Sequence, residues 1–136
     1  MKKASVFLGV ICWSLFFLCG CNFIRIEEEP RKPLEYSIVK NEDLPAELAA
    51  LIQEKKAKAF QLTYQSEKDL FLIKGYGQQM SGGYSISVEE LGITSQAVFF
   101  RTQLIGPQDE KTALSPPSYP YIVVKMAYRK EPVIFE

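Results

Sequence analysis

From Ala59 onward the apolar residues of this chain recur at every second position, and that period leaves little choice of fold. Ala59 to Gln65 (AFQLTYQ) puts Phe60, Leu62 and Tyr64 on one face, and Tyr84 to Glu90 (YSISVEE) does the same with Tyr84, Ile86 and Val88. A two-residue period is that of a half-buried strand. Between these segments, Leu70 to Lys74 (LFLIK) is an unbroken apolar run, which reads as a buried strand. The polar Ser66-Glu67-Lys68-Asp69 joins it to the preceding strand as a hairpin. Gln96 to Ile105, Tyr119 to Ala127 and Pro132 to Glu136 supply further strands. A glycine-rich loop, Gly75 to Gly83, and a three-proline loop, Gly106 to Ser118, punctuate the series.

Ahead of Ala59 the pattern differs. Leu34 to Lys40 alternates Leu34, Tyr36 and Ile38, a strand. Leu44, Leu48, Leu51 and Ile52 then follow helical spacing, with Asn41 or Asp43 as the cap and Pro45 in the first turn. Lys55, Lys56 and Lys58 close that helix, where they complement its dipole as a solvated face. One helix and six or seven strands predict an α+β fold. Its mostly antiparallel sheet would curl into a barrel- or sandwich-like shape.

The N-terminus reads as a processing signal. Met1-Lys2-Lys3 is basic, and Ala4 to Leu18 carries no charge. That run falls short of the roughly 20 residues of a transmembrane helix and fits a secretory signal. It ends in Leu18-Cys19-Gly20-Cys21, which resembles the bacterial lipobox. The resemblance implies cleavage before Cys21 and lipidation of its thiol. More than one acyl chain gives the stable anchoring that a single chain does not. The expected organisation is a signal at 1–20, a lipidated Cys21 with a proline-containing charged tether over 21–33, and a globular domain over 34–136. Localisation would be extracytoplasmic, on the bacterial cell membrane.

Composition gains meaning after that division. The whole chain balances 16 basic against 16 acidic side chains, but the first twenty residues hold two lysines and no acid. The remainder carries 14 against 16, a formal net charge of −2. Clustered positive charge of the kind that binds nucleic acid is not its character. Cys12 and Cys19 leave with the signal and Cys21 is capped by lipid, so the domain relies on packing without a disulfide. There is no histidine, which excludes Ser-His-Asp and Cys-His catalysis and a histidine-ligated metal.

The remaining constellations carry no evident chemistry. Gly75-x-Gly77-x4-Gly82 lacks the spacing of a dinucleotide loop and joins strand to strand. Glu89-Glu90 and Glu27-Glu28-Glu29 are adjacent carboxylates without a calcium-loop pattern. No catalytic residue, metal site or cofactor is expected. Tyr76, Tyr84, Tyr119, Tyr121 and Tyr128 are either a recognition surface or ordinary half-buried strand residues.

Two blocks then resemble a known family. Gly75-x-Gly77-x3-Ser81-Gly82-Gly83-Tyr84-Ser85-Ile86-x-Val88 resembles the first signature of the PrcB-like C-terminal domain, the protease-complex subunit family. Leu104-x2-Pro107, the proline loop and Ser118-Tyr119-Pro120-Tyr121-x-Val123-x-Lys125 resemble its second. Ser81 stands where the family usually has Thr. The resemblance spans about residues 70 to 127. It implies an accessory subunit that binds or stabilises a secreted subtilisin-like protease, with no known catalytic residues. Carried to matching positions, Ser81, Gly82, Gly83, Tyr84, Tyr119, Pro120 and Tyr121 become the candidate partner-binding surface. Two other expectations are a small-ligand or cell-wall-glycan carrier with a tyrosine-lined pocket and, more weakly, a protease inhibitor presenting the Gly106–Pro117 loop.

Overall fold

The computed structural model describes residues 29–136, and Arg31–Glu136 form one compact unit. The signal sequence, Cys21 and the tether as far as Glu28 lie outside the described residues. Eight strands form two four-stranded sheets: β1 (Lys32–Pro33), β2 (Ser37–Ile38), β3 (Ala59–Ser66), β4 (Asp69–Tyr76), β5 (Ser85–Ile93), β6 (Val98–Ile105), β7 (Tyr121–Ala127) and β8 (Val133–Phe135). One sheet has the order β1-β5-β6-β8 and the other β2-β7-β4-β3. Helix α1 (Ala46–Lys55) is the only long helix among the described residues, and α2 (Glu110–Ala113) is a single turn.

The α+β expectation is therefore corrected: the domain is mostly β, built as two separate sheets without a closed barrel. The physical reason lies in β4. Leu70 and Leu72 point into the space between the sheets, where they join Leu91, Val98, Phe100, Val124 and Met126. Phe71 and Ile73 point the other way, into a second cluster with Leu48 and Ile52 of α1 and Val123 of β7. A strand apolar on both faces needs a cover on each side. The second sheet covers one face and α1 the other, so the layers stack instead of curling into one sheet. Phe100, Leu72, Val98 and Val124 between the sheets, and Leu48, Ile52 and Ile73 under the helix, are fully buried.

Local departures from the sequence reading also have causes. The helix ends at Lys55, and Ala59 already pairs with Tyr76 in β3. Its N-cap is Pro45, with no side-chain cap, while Asn41–Asp43 form a separate 3-10 turn. In β5 a bulge at Glu89 shifts the register between Val88 and Glu90. Ile86 and Val88 face the core before it, Leu91 and Ile93 after it, so one extra residue keeps the apolar side chains inward. The strand expected over 34–40 shrinks to the two residues of β2, which pair with β7, while β1 lies just before it and pairs with β5 in the other sheet. Residues 31–33, placed in the tether by sequence, are thus built into the fold. Arg31 ion-pairs with Glu90 and Glu136 and lies 3.7 Å over the Phe99 ring. Glu136 follows β8 directly, its N–H bonding Phe100 O, and β8 runs parallel to β6, a mixed pairing that the alternation of Val133 and Phe135 does not reveal.

The crossing at β1 and β2 links the sheets along one side. On the opposite side β3 and β8 do not pair, and the stack stays open.

Candidate functional site

Two loops cross between the sheets at one end of the domain. The glycine loop leads from β4 to β5, and the proline loop leads back from β6 to β7. They travel in opposite senses side by side, which lets their backbones pair. Gln79 N–H donates to Ser118 O at 2.8 Å, and Ser118 N–H returns to Gln79 O at 3.2 Å. Ser118 Oγ donates to Ser81 O at 2.6 Å, and Gly82 N–H donates to Ser115 Oγ at 2.8 Å. Beneath them Tyr76 bridges the sheets, its hydroxyl sharing a hydrogen bond with Thr102 Oγ1.

The proline loop is itself pinned. Asp109 caps α2, its carboxylate accepting from Thr112 N and Thr112 Oγ1, both at 2.6 Å. These bonds to the ionised form hold the Asp109 carboxyl below its ordinary pKa. Ser115 Oγ in turn donates to Thr112 O. The loop presents a helical turn at Glu110–Ala113, whereas a substrate-mimicking inhibitor loop has to lie extended.

The sequence-derived residues divide by role. Ser81 is buried, 3% exposed, and its hydroxyl donates to Gly82 O. Gly83 sits at φ +83° directly against the proline loop, and a Cβ there would lie 2.1 Å from Thr112 Cγ2 and 3.0 Å from Pro107 Cβ. Only glycine combines that backbone with that approach. Tyr84 is half-buried beside Gly106. Pro120 presents its carbonyl to Tyr76 N–H at 3.0 Å, immediately before β7. Tyr121 lies with the helix-side cluster, its hydroxyl donating to Asn41 Oδ1 at 2.7 Å, and burial raises its pKa. Tyr119 is exposed, with Lys56 Nζ 5.5 Å from its ring centroid. The structure therefore gathers Ser81 to Tyr84 and Tyr119 to Pro120 at one end, and turns Tyr121 away into packing.

Sequence reasoning passed over the two most exposed large apolar side chains among the described residues. Met80, on the glycine loop, is 91% exposed, and Leu114, just after α2, is 87% exposed. They project from the two segments that Gly82, Ser115 and Ser118 bind together. An isolated apolar residue in an otherwise polar loop is the signal that would have found them. Of the five tyrosines, Tyr128 alone lines the groove at the open side, and the space between the sheets is filled by aliphatic and phenyl side chains. Among the described residues no group of three or more acidic or cysteine side chains is placed to hold a metal ion.

The two tied loops and the strands that carry them coincide with a family match. Residues 70–127 match the family model described as PrcB C-terminal. This stretch is a PrcB C-terminal domain. The match begins at β4 and ends with β7, so it includes the inner strands of one sheet, both loops, and β5 and β6 of the other. The family is one of protease-complex subunits and not a known catalytic one. No curated protein and no solved structure matches the chain.

Proposed function

We propose that this chain is a lipid-anchored accessory protein outside the bacterial cytoplasm that binds or steadies a subtilisin-like surface protease complex. Cys21 is the lipidated residue in this reading, and the segment up to Pro30 is the spacer. The PrcB C-terminal match carries the proposal, because the matched segment contains both interlocked loops. Met80 and Leu114 are the contact residues it nominates. Large apolar side chains on a pre-organised backbone bury well in a partner's pocket and lose little loop entropy on binding. Tyr119 adds an amphipathic ring at the edge of that surface. A tyrosine-lined pocket finds less support, because the cluster between the sheets holds no tyrosine and Tyr128 alone of the five lines the groove at the open side.

The test is affinity capture from detergent-solubilised membranes, using the full chain and a Met80→Asp/Leu114→Asp variant of equal thermal stability. The proposal expects a captured protein that reacts with a serine-protease active-site probe and is lost with the variant. Equal capture by both chains, or a captured set without a probe-reactive protein, refutes it.

A further inference from the structure

Strand β3 is the outer strand of its sheet, and it lacks the usual defences of such an edge. It is eight residues long, regular throughout its pairing with β4, and contains neither charge nor proline. Free edges are ordinarily blunted by lysine, proline, a bulge or shortness. The register shows which groups are free. Ser66 pairs with Asp69 across a two-residue turn, so these two exchange both hydrogen bonds, and the alternation continues through Tyr64, Leu62 and Phe60. The N–H and C=O of Gln61, Thr63 and Gln65 therefore point away from β4, out of the sheet. Their side chains are exposed and line a groove of about 710 Å³ at the open side of the stack, opposite Pro132, Val133 and Phe135.

Charge indicates what fits there. Lys55, Lys56 and Lys58 gather at the Ala59 end of this edge, where Lys58 N–H bonds Lys55 O. None of the ion pairs among the described residues involves them. At the other end of the groove Arg129 is neutralised by Glu131 at 3.2 Å. Lys68 and Lys130 also lie at that end, but Glu67, Asp69 and Glu131 balance them and Arg129 in number. The edge thus offers backbone pairing along its length and an excess of positive charge at its Ala59 end.

We propose that β3 accepts an extended acidic segment of a partner protein as an added antiparallel strand, with the acidic residues beside Lys55, Lys56 and Lys58. Backbone hydrogen bonds supply affinity, as in other strand additions, and the lysines fix direction. An antiparallel segment has its C-terminal end at Ala59, so the acids follow the paired residues. Side chains on its inner face enter the groove against Val133 and Phe135. Its lysine end adjoins the loop surface, where Lys56 Nζ lies 5.5 Å from the Tyr119 ring and Gln78 N–H bonds Ala57 O, but strand addition along Gln61, Thr63 and Gln65 does not require Met80 or Leu114.

The experiment titrates the full chain in detergent with a short capped peptide of alternating threonine and valine that ends in a run of glutamates. Amide hydrogen exchange is followed residue by residue. The expected result is new protection at Gln61, Thr63 and Gln65, with little change at Leu62 and Tyr64, whose amides β4 already holds. Replacing the glutamates by lysines should weaken binding at least roughly tenfold at low salt, as exposed charge interactions do. N-methylation of alternate peptide amides should abolish binding. A Lys55→Glu/Lys58→Glu variant, altered only at exposed positions, should lose the preference for the acidic peptide. The proposal is overturned if the peptide protects none of the three amides, or if the N-methylated peptide binds equally well. Concentration-dependent protection of the same amides without peptide also overturns it, since a second copy then occupies the edge.

Discussion

Replacing Gly83 by alanine tests whether the two loops are held as one unit. The added Cβ would sit 2.1 Å from Thr112 Cγ2 and 3.0 Å from both Thr112 Cβ and Pro107 Cβ, at a backbone φ of +83°. A left-handed backbone costs a non-glycine residue about 1–2 kcal/mol. Forcing a methyl into a filled contact costs ~1–3 kcal/mol more. Gly83→Ala should therefore destabilise the domain by about 3 kcal/mol in urea unfolding of the full chain. Thr112→Ser separates the two contributions, because it deletes Cγ2 while keeping the hydroxyl that bonds Asp109. Alone it should cost about 0.5–1 kcal/mol for one lost methyl. In the Gly83→Ala background it should instead restore about 1–2 kcal/mol, since it removes the closest overlap. A Gly83→Ala cost below about 0.5 kcal/mol, or Thr112→Ser acting with one sign in both backgrounds, would refute the interlocked geometry.

Other perturbations have defined outcomes. Cys21→Ser should abolish detergent-phase partitioning and lipid labelling; unchanged partitioning would remove the proposed anchor. Tyr121→Phe loses the bond to Asn41 Oδ1 and should cost about 0.5–1.5 kcal/mol while leaving partner capture intact, because this hydroxyl serves packing. Gly75→Ala should destabilise by about 1–2 kcal/mol, because its Cβ would lie 2.2 Å from the Phe60 ring and force that ring off the sheet. The hydrogen bond from Arg31 holds the Glu136 carboxyl below its ordinary pKa. A lowered carboxyl pKa stabilises the fold above the unfolded value, about 4.3 for glutamate, and that contribution is lost as pH falls through the folded value. The stability gap between the natural chain and Glu136→Gln should therefore be constant above about pH 5 and shrink on further acidification. A gap that widened with acid would contradict the assigned pairing.

The sequence spells out strands better than it spells out layers. Phe60, Leu62 and Tyr64 announce β3 because only one of its faces meets apolar partners. Leu70 to Ile73 announces burial on both sides, but not that a helix covers one side and a second sheet the other. The bulge at Glu89 hides the second half of β5, since the inward positions change from even to odd across it. The short β1 and β2 ladders, and the parallel contact of β8, depend on partners far away in the chain and leave no local period.

At the site, the glycines and prolines of both loops were legible because they obey backbone rules. Gly83 needs its positive φ, and Pro120 precedes a strand. Which side chains face outward was not legible. Tyr119 and Tyr121 stand two residues apart, yet one is exposed and the other packs with the helix-side cluster beside Asn41. The loops that carry Met80 and Leu114 are joined by the hydrogen bonds of Ser115 and Ser118, a pairing between distant segments that leaves no local pattern.

The most direct test of the central claim is photocrosslinking in intact membranes. A benzophenone side chain would be placed in turn at position 80, at position 114, and at position 125, an exposed site on β7 far along the strand from the loops. The account predicts one protein adduct, reactive with a serine-protease probe, from positions 80 and 114 and none from position 125. Adducts of equal yield from all three positions, or from position 125 alone, would contradict it.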